Sequence, residues 1–178
     1  MKRAKLIYSS IIIICLIIIS WSTYYTLGGF EPVEVYVMEG KERTVIGKEY
    51  WEKHDYELLK KRYHETKAQI DSGRLKGQVA IVFYDQEEES DTAHYFIGAY
   101  TDEIKDVLRV PAGYSYKEFK TSKVFKVFLT RHWLVGASRE EVDQLMEIKA
   151  IEEGVVLQPF TFDLYYADQS RSTERWAR

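Results

Sequence analysis

Gln78-Val79-Ala80-Ile81-Val82-Phe83-Tyr84 is the stretch that decides how this 178-residue chain folds. The run is almost wholly apolar and rich in β-branched residues, which predicts a central strand of a sheet. The acidic segment Gln86–Asp91 follows and predicts a turn. His94–Tyr100 then predicts a second strand beside the first.

Upstream of these two strands the sequence predicts a strand followed by a helix. Apolar and polar residues alternate over Val33–Val37, as in a half-buried strand, and the pattern resumes at Thr44–Tyr50. A helical pattern begins at Asp55, a residue type that favours helix starts. Gly73 is typical of the position just after a helix end.

The same order of elements recurs downstream. The pattern predicts a strand over 106–119, bent at Pro111–Gly113, and a second strand over 123–130. A helix follows over 138–153, opened by a Ser138 capping box and ended by Gly154. A strand over 160–166 and a short last strand over 173–178 complete the order. Strand, helix, strand, strand therefore occurs twice. This order predicts an α+β fold in which two such units form one mostly antiparallel sheet with both helices on one face. We expect the other face to curve into a ligand groove between the halves.

Charge and cysteine content exclude several classes of function. The chain carries −3, and because its first 30 residues hold three basic and no acidic side chains, residues 31–178 carry −6. A domain that acidic has no electrostatic footprint for nucleic acid. The single cysteine, Cys15, lies in an apolar run, which excludes a disulfide or thiolate metal site in the domain. The four histidines lack the spacing of metal ligands, so we expect no metal and no cofactor.

The first 30 residues predict a membrane anchor. Leu6–Phe30 carries no charge and exceeds the 20 or so apolar residues that a spanning helix requires. No small-residue cleavage pattern follows the apolar core, so an uncleaved single-pass signal-anchor is favoured over a cleaved signal peptide. Lys2, Arg3 and Lys5 predict a cytoplasmic N-terminus, with the domain of residues 31–178 on the non-cytoplasmic, periplasmic side.

Three stretches of the domain resemble the GyrI-like small-molecule-binding superfamily, which includes AraC-type effector-binding domains and SOUL-type proteins. They are Val79–Asp85 before an acidic loop, Val110–Tyr114 with its Pro-Ala-Gly turn, and Pro159–Tyr165 as the late strand. The preceding apolar segment is similar to the membrane-anchored branch of that superfamily. The resemblance implies a small-molecule-binding domain. In ligand-binding relatives the late strand offers a glutamate to cationic or polar ligands, and Asp163 stands at that position here.

Asp163 and four tyrosines are the candidate ligand-binding residues. If Phe160, Phe162 and Leu164 pack under the helices, Asp163 points with Tyr165 into the groove, where partial burial would raise its pKa. A solvated aspartate on an open face is the alternative. Three further tyrosines are expected to line the same hollow, namely Tyr36, Tyr84 and Tyr114.

Three functional hypotheses remain open at this point. The first is a binding module that takes a small apolar or cationic ligand, with Asp163 as counter-charge. The second is a hydrolase of a reactive small molecule, in which Asp163 activates water and Tyr165 orients the substrate. The third is a ligand-free adaptor that binds an unknown protein partner, with His132-Trp133 as an exposed candidate contact.

Overall fold

The computed structural model describes residues 2–27, 32–84, 91–101, 110–129, 137–167 and 170–178, with the side chains from residue 11 onward. These residues form three helices and eight strands. The helices are α1 (Lys2–Thr26), α2 (Tyr56–Asp71) and α3 (Arg139–Glu152). The strands are β1 (Tyr36–Glu39), β2 (Glu42–Lys53), β3 (Gln78–Tyr84), β4 (Thr92–Thr101), β5 (Ser115–Lys120), β6 (Lys123–Leu129), β7 (Leu157–Tyr165) and β8 (Arg171–Ala177).

The eight strands form one antiparallel sheet in the order β1-β6-β8-β7-β3-β4-β2-β5. This order is symmetric about the β7–β3 pair, since β6-α3-β7-β8 mirrors β2-α2-β3-β4 and β1 and β5 extend the two edges. The α+β class, the antiparallel sheet and the central position of β3 therefore agree with the expectation from the sequence. At the centre of the sheet Ile81 pairs with Asp163.

Both α2 and α3 pack on the same side of the sheet, which we call the helix face. Directly opposed residues of adjacent strands point to the same side, and one such row crosses the sheet through Ile81, Asp163, Thr173 and Val127. Ile81 packs in one apolar cluster with Leu59 and Tyr63 of α2. Val127 packs in another with buried residues of α3, namely Val142, Met146 and Ala150.

The opposite side of the sheet, which we call the inner face, is a closed aromatic core. Phe162 and Trp176 are buried there and stack at 5.5 Å between ring centroids. The sheet curls far enough that Phe119 of edge strand β5 brings its ring within 6.2 Å of the Trp176 ring. We therefore find a filled interior where the sequence led us to expect an open groove.

A charged group is buried within this aromatic core. Arg43 donates two hydrogen bonds to the Glu174 carboxylate, at 2.6 and 3.0 Å, and Lys126 Nζ lies 3.2 Å from the same carboxylate. The indole Nε1 of Trp176 donates a further bond of 3.1 Å to Glu174. Glu174 is fully buried, so its charge is balanced by these neighbours and not by water.

Side-chain caps fix where α2 and α3 begin. The Asp55 carboxylate accepts from the Glu57 amide at 2.8 Å, and Ser138 Oγ accepts from the Glu141 amide at 3.1 Å. Each bond satisfies a backbone donor that the first helical turn leaves without a partner. Both helices therefore lie within one residue of the ranges that the sequence predicts.

The start of β5 is set by a glycine turn. The Tyr114 amide donates to the Pro111 carbonyl at 3.1 Å, and Gly113 has φ of +79°, a conformation that disfavours side chains. β5 begins after this turn. Three expected features lie wholly or partly outside the described residues. They are the first part of the strand expected over 106–119, the acidic turn expected over Gln86–Asp91, and the His132-Trp133 pair.

The expected membrane anchor is corrected. In the part of the chain that the structure describes, none of the helices is long and apolar enough to cross a membrane. The non-cytoplasmic placement of the domain stays a prediction.

Candidate functional site

A cavity of about 460 Å³ lies on the helix face, between α2 and the centre of the sheet. We call it the α2 cavity. Ile81 of β3 and Tyr165 of β7 form its floor, and Leu59 and Tyr63 of α2 form its wall. The other lining residues are Tyr56, Lys60, His64, Lys67 and Tyr166.

The helical repeat of α2 places its lining residues on one side. Tyr56, Leu59, Tyr63 and Lys67 follow one another at intervals of three or four residues, so they share a helix face. The rings of Tyr63 and Tyr165 meet across the cavity at 5.0 Å between centroids, tilted by 59°. The cavity therefore has an aromatic wall and an apolar floor.

Asp163 is buried beside this floor, with 4% of its surface exposed. It lies opposite Ile81 in the sheet and two residues before Tyr165 on the same side of β7. Thr173 Oγ1 donates to its Oδ1 at 2.7 Å, and Arg171 Nη1 is 3.8 Å from its Oδ2. The carboxylate thus has partners within the protein.

Burial controls the protonation of this group. Removal from water raises the pKa of Asp163, and the nearby Arg171 and the Thr173 bond only partly oppose that rise. Burial, and then the charge of Asp163, raise the pKa of Tyr165 to about 12, so its hydroxyl stays protonated at neutral pH. Burial opposes the charge of Arg171, yet Asp163 and Tyr165 hold the pKa of Arg171 above its ordinary value.

The raised pKa of Asp163 makes its contribution to stability pH-dependent. At a pH below its ordinary value of 3.8 the carboxyl is neutral in both the folded and the unfolded chain. As the pH rises through the folded-state pKa, the folded protein must ionise a buried group and loses stability. Asp163→Asn, which keeps an oxygen for Thr173, is therefore expected to gain stability relative to wild type as the pH rises from 4 to 7.

Urea denaturation of both proteins across that pH range checks this expectation. The quantity of interest is the difference between their free energies of unfolding, because effects of the other carboxylates cancel in it. A difference that shifts in favour of wild type with rising pH would show that Arg171 and Thr173 stabilise the ionised form more than burial destabilises it.

The structure places the five candidate residues at four different positions. Tyr165 lines the α2 cavity and Asp163 lies next to it, whereas Tyr84 is at the end of the inner face, stacked on His94 at 4.2 Å. Tyr36 is on edge strand β1 against Phe128. Tyr114 packs beside Ile46 and Leu75, away from the cavity lining.

The side chains of β7 point the opposite way from the arrangement considered in the sequence, in which the apolar residues of this strand pack under the helices. Phe160, Phe162 and Leu164 pack in the inner face, so Asp163 and Tyr165 point toward the helices. Sequence reasoning therefore missed the contribution of α2 to the cavity. The signal for it is the helical spacing of Tyr56, Leu59 and Tyr63, which places the three side chains on one face of α2.

Comparison with known proteins gives structural neighbours but no sequence family. No family model matches the chain, and no curated protein matches it. Solved structures with the same fold include EcmrR in complex with DNA, with a TM-score of 0.57 and 13% identity over 99% of this chain and 70% of that one. The EcmrR C-terminal domain matches with a TM-score of 0.53 and 12% identity, over 82% of this chain and 98% of that one.

A hydrolase from Listeria innocua has the same fold, with a TM-score of 0.51 and 10% identity over 82% of this chain and 92% of that one. At such low identities the likeness shows the fold alone. That fold is consistent with the resemblance to the GyrI-like superfamily.

Proposed function

We propose that this domain binds a small, largely apolar aromatic molecule in the α2 cavity. The observation that carries the proposal is the cavity of about 460 Å³ whose wall and floor bring Tyr63 and Tyr165 to 5.0 Å. Small-molecule sites in proteins are typically concave, of roughly 300–1,000 Å³, and mainly apolar with a few polar groups. The α2 cavity has each of these properties.

An aromatic ligand suits the geometry of the tyrosine pair. Two rings tilted at 59° offer an edge and a face to a third ring, and such contacts contribute beyond simple burial. The fold supports the proposal at a general level, because the resemblance to GyrI-like proteins implies small-molecule binding. The DNA in the EcmrR complex is not carried over, since residues 31–178 have a net charge of −6.

Calorimetric titration of the full chain with naphthylmethanol tests this proposal. Tyr63→Ala is expected to weaken binding about tenfold, or ~1.4 kcal/mol, because it removes one wall of the cavity. Tyr84→Ala is the matched control, because Tyr84 lies on the inner face and should leave the affinity unchanged. Equal loss in both variants, or no binding to wild type, would contradict the proposal.

Hydrolysis of a reactive small molecule is the second candidate function. The observation that favours it is the raised pKa of Asp163 next to Tyr165, a property typical of catalytic carboxylates. The Listeria innocua hydrolase of the same fold is a further reason to test it. Asp163→Asn separates the two functions, since it should abolish any turnover of a bound ester or epoxide probe and leave naphthylmethanol binding intact.

A further inference from the structure

Basic side chains of α2 lie along one side of the mouth of the α2 cavity. Of the nine lining residues that the structure describes, Lys60, His64 and Lys67 carry basic groups, and none of these nine carries a carboxylate. All three lie on α2, within two turns of the helix, and are exposed to solvent. A molecule that enters therefore passes a rim of positive charge before it reaches the tyrosines.

Two carboxylates of α2 near this rim, Glu65 and Asp71, have basic partners on the same helix. Glu65 of α2 lies 3.1 Å from Arg62 and is not a lining residue. Asp71 lies 3.1 Å from Lys67, but both side chains are about half exposed, so this pair is weak and easily exchanged. Lys67 is thus available to a competing anion.

Asp163 does not reverse the sign of the site. It is buried beneath the lining, accepts the Thr173 bond and has Arg171 at 3.8 Å. The Arg171 charge offsets that of Asp163, so this pair adds little net charge to the site. A ligand cation would therefore meet the two rim lysines and no uncompensated carboxylate among the described lining residues.

We propose that the ligand of the α2 cavity carries an anionic group, as in an aromatic carboxylate, with its apolar body on Tyr63 and Tyr165 and its charge at the Lys60–Lys67 rim. This inference rests on the proposed function, because it assigns the chemistry of the same cavity. An anionic ligand is opposite in charge to the cation that a solvent-exposed Asp163 would select. A carboxylate at the rim pairs with either lysine without any need to displace Thr173 from Asp163.

Three probes of matched shape test the sign of the charge: naphthoate, naphthylmethanol and naphthylmethylammonium. Naphthoate is expected to bind the full chain about two- to fivefold more tightly than naphthylmethanol, as exposed ion pairs permit, and the ammonium compound more weakly than both. Because exposed charges are screened by salt, the preference for naphthoate should shrink between 0.05 and 0.5 M sodium chloride.

The double variant Lys60→Gln/Lys67→Gln is expected to bind naphthoate and naphthylmethanol equally. Lys61→Gln, on the same helix but outside the lining, is the control and should keep the preference for naphthoate. If wild type binds all three probes equally, or the ammonium compound most tightly, the inference is overturned and the proposed function stands. If wild type binds none of the three, the proposed function itself fails.

Discussion

Glu174→Gln is expected to lower the free energy of unfolding by about 3–5 kcal/mol. The substitution keeps the shape of the side chain but removes the negative charge that faces Arg43 at 2.6 Å and Lys126 at 3.2 Å. Two cations would then remain in the closed aromatic core without a counter-charge. Leaving a buried charge uncompensated costs far more than the pair contributes when it is intact.

Urea denaturation measures this effect, and Glu42→Gln is the matched control. Glu42 also pairs with a lysine, Lys120, at 2.8 Å, but both side chains are largely exposed. Its loss is therefore expected to change the free energy of unfolding by less than about 1 kcal/mol. Equal effects of the two substitutions would mean that water reaches Glu174 and that the inner face is open.

Trp176→Ala is expected to cost about 3–5 kcal/mol of unfolding free energy, the usual range for a large buried aromatic residue. Trp176 has no exposed surface and contacts the rings of Phe119, Phe160 and Phe162. Its removal opens a void between β7 and β8 in one half of the sheet and edge strand β5 in the other half. It also deprives Glu174 of a hydrogen-bond donor.

Trp51→Ala is the control of the same residue type. Trp51 stacks on His94 at 3.5 Å but is 65% exposed, so its loss is expected to cost about 1 kcal/mol or less. Thermal and urea unfolding of both variants check the contrast. A small effect of Trp176→Ala would show that the inner face is not the core of the domain.

The sequence was sufficient to predict the elements whose signals are local. β3 is a continuous apolar run, and Asp55 and Ser138 each place a side-chain acceptor at a helix start. Such features depend on neighbouring residues only. For the same reason both helices, and the central position of β3, follow from the sequence alone.

The orientation of β7 was not predictable from its own pattern. Apolar residues on one side of the strand suggest burial, but β7 is buried on both sides, by the inner face and by the helices. Alternation then shows that Asp163 and Phe162 point opposite ways without showing which of them faces α2. The cavity depends on that choice, so its position was missed.

The buried charges were missed for a different reason. Arg43 and Glu174 are separated by 131 residues in the chain, and each is surrounded in sequence by residues typical of an exposed strand. In the sheet β7, β3 and β4 separate β8 from β2, so it is the curl of the sheet that brings the two side chains together across the inner face. The uncharged run Leu6–Phe30 predicted a membrane span, whereas none of the described helices is long and apolar enough to form one.

The central claim is that a small aromatic molecule binds between α2 and the sheet. Its most direct test is an NMR titration of the isotope-labelled full chain with naphthoate, followed through the ring signals of tyrosine and the methyl signals of leucine and isoleucine. We predict that the largest shifts, and contacts with the naphthyl ring, occur at Leu59, Tyr63, Ile81 and Tyr165. Contacts confined to inner-face residues such as Tyr84, or no shifts at any of these positions, would contradict the account.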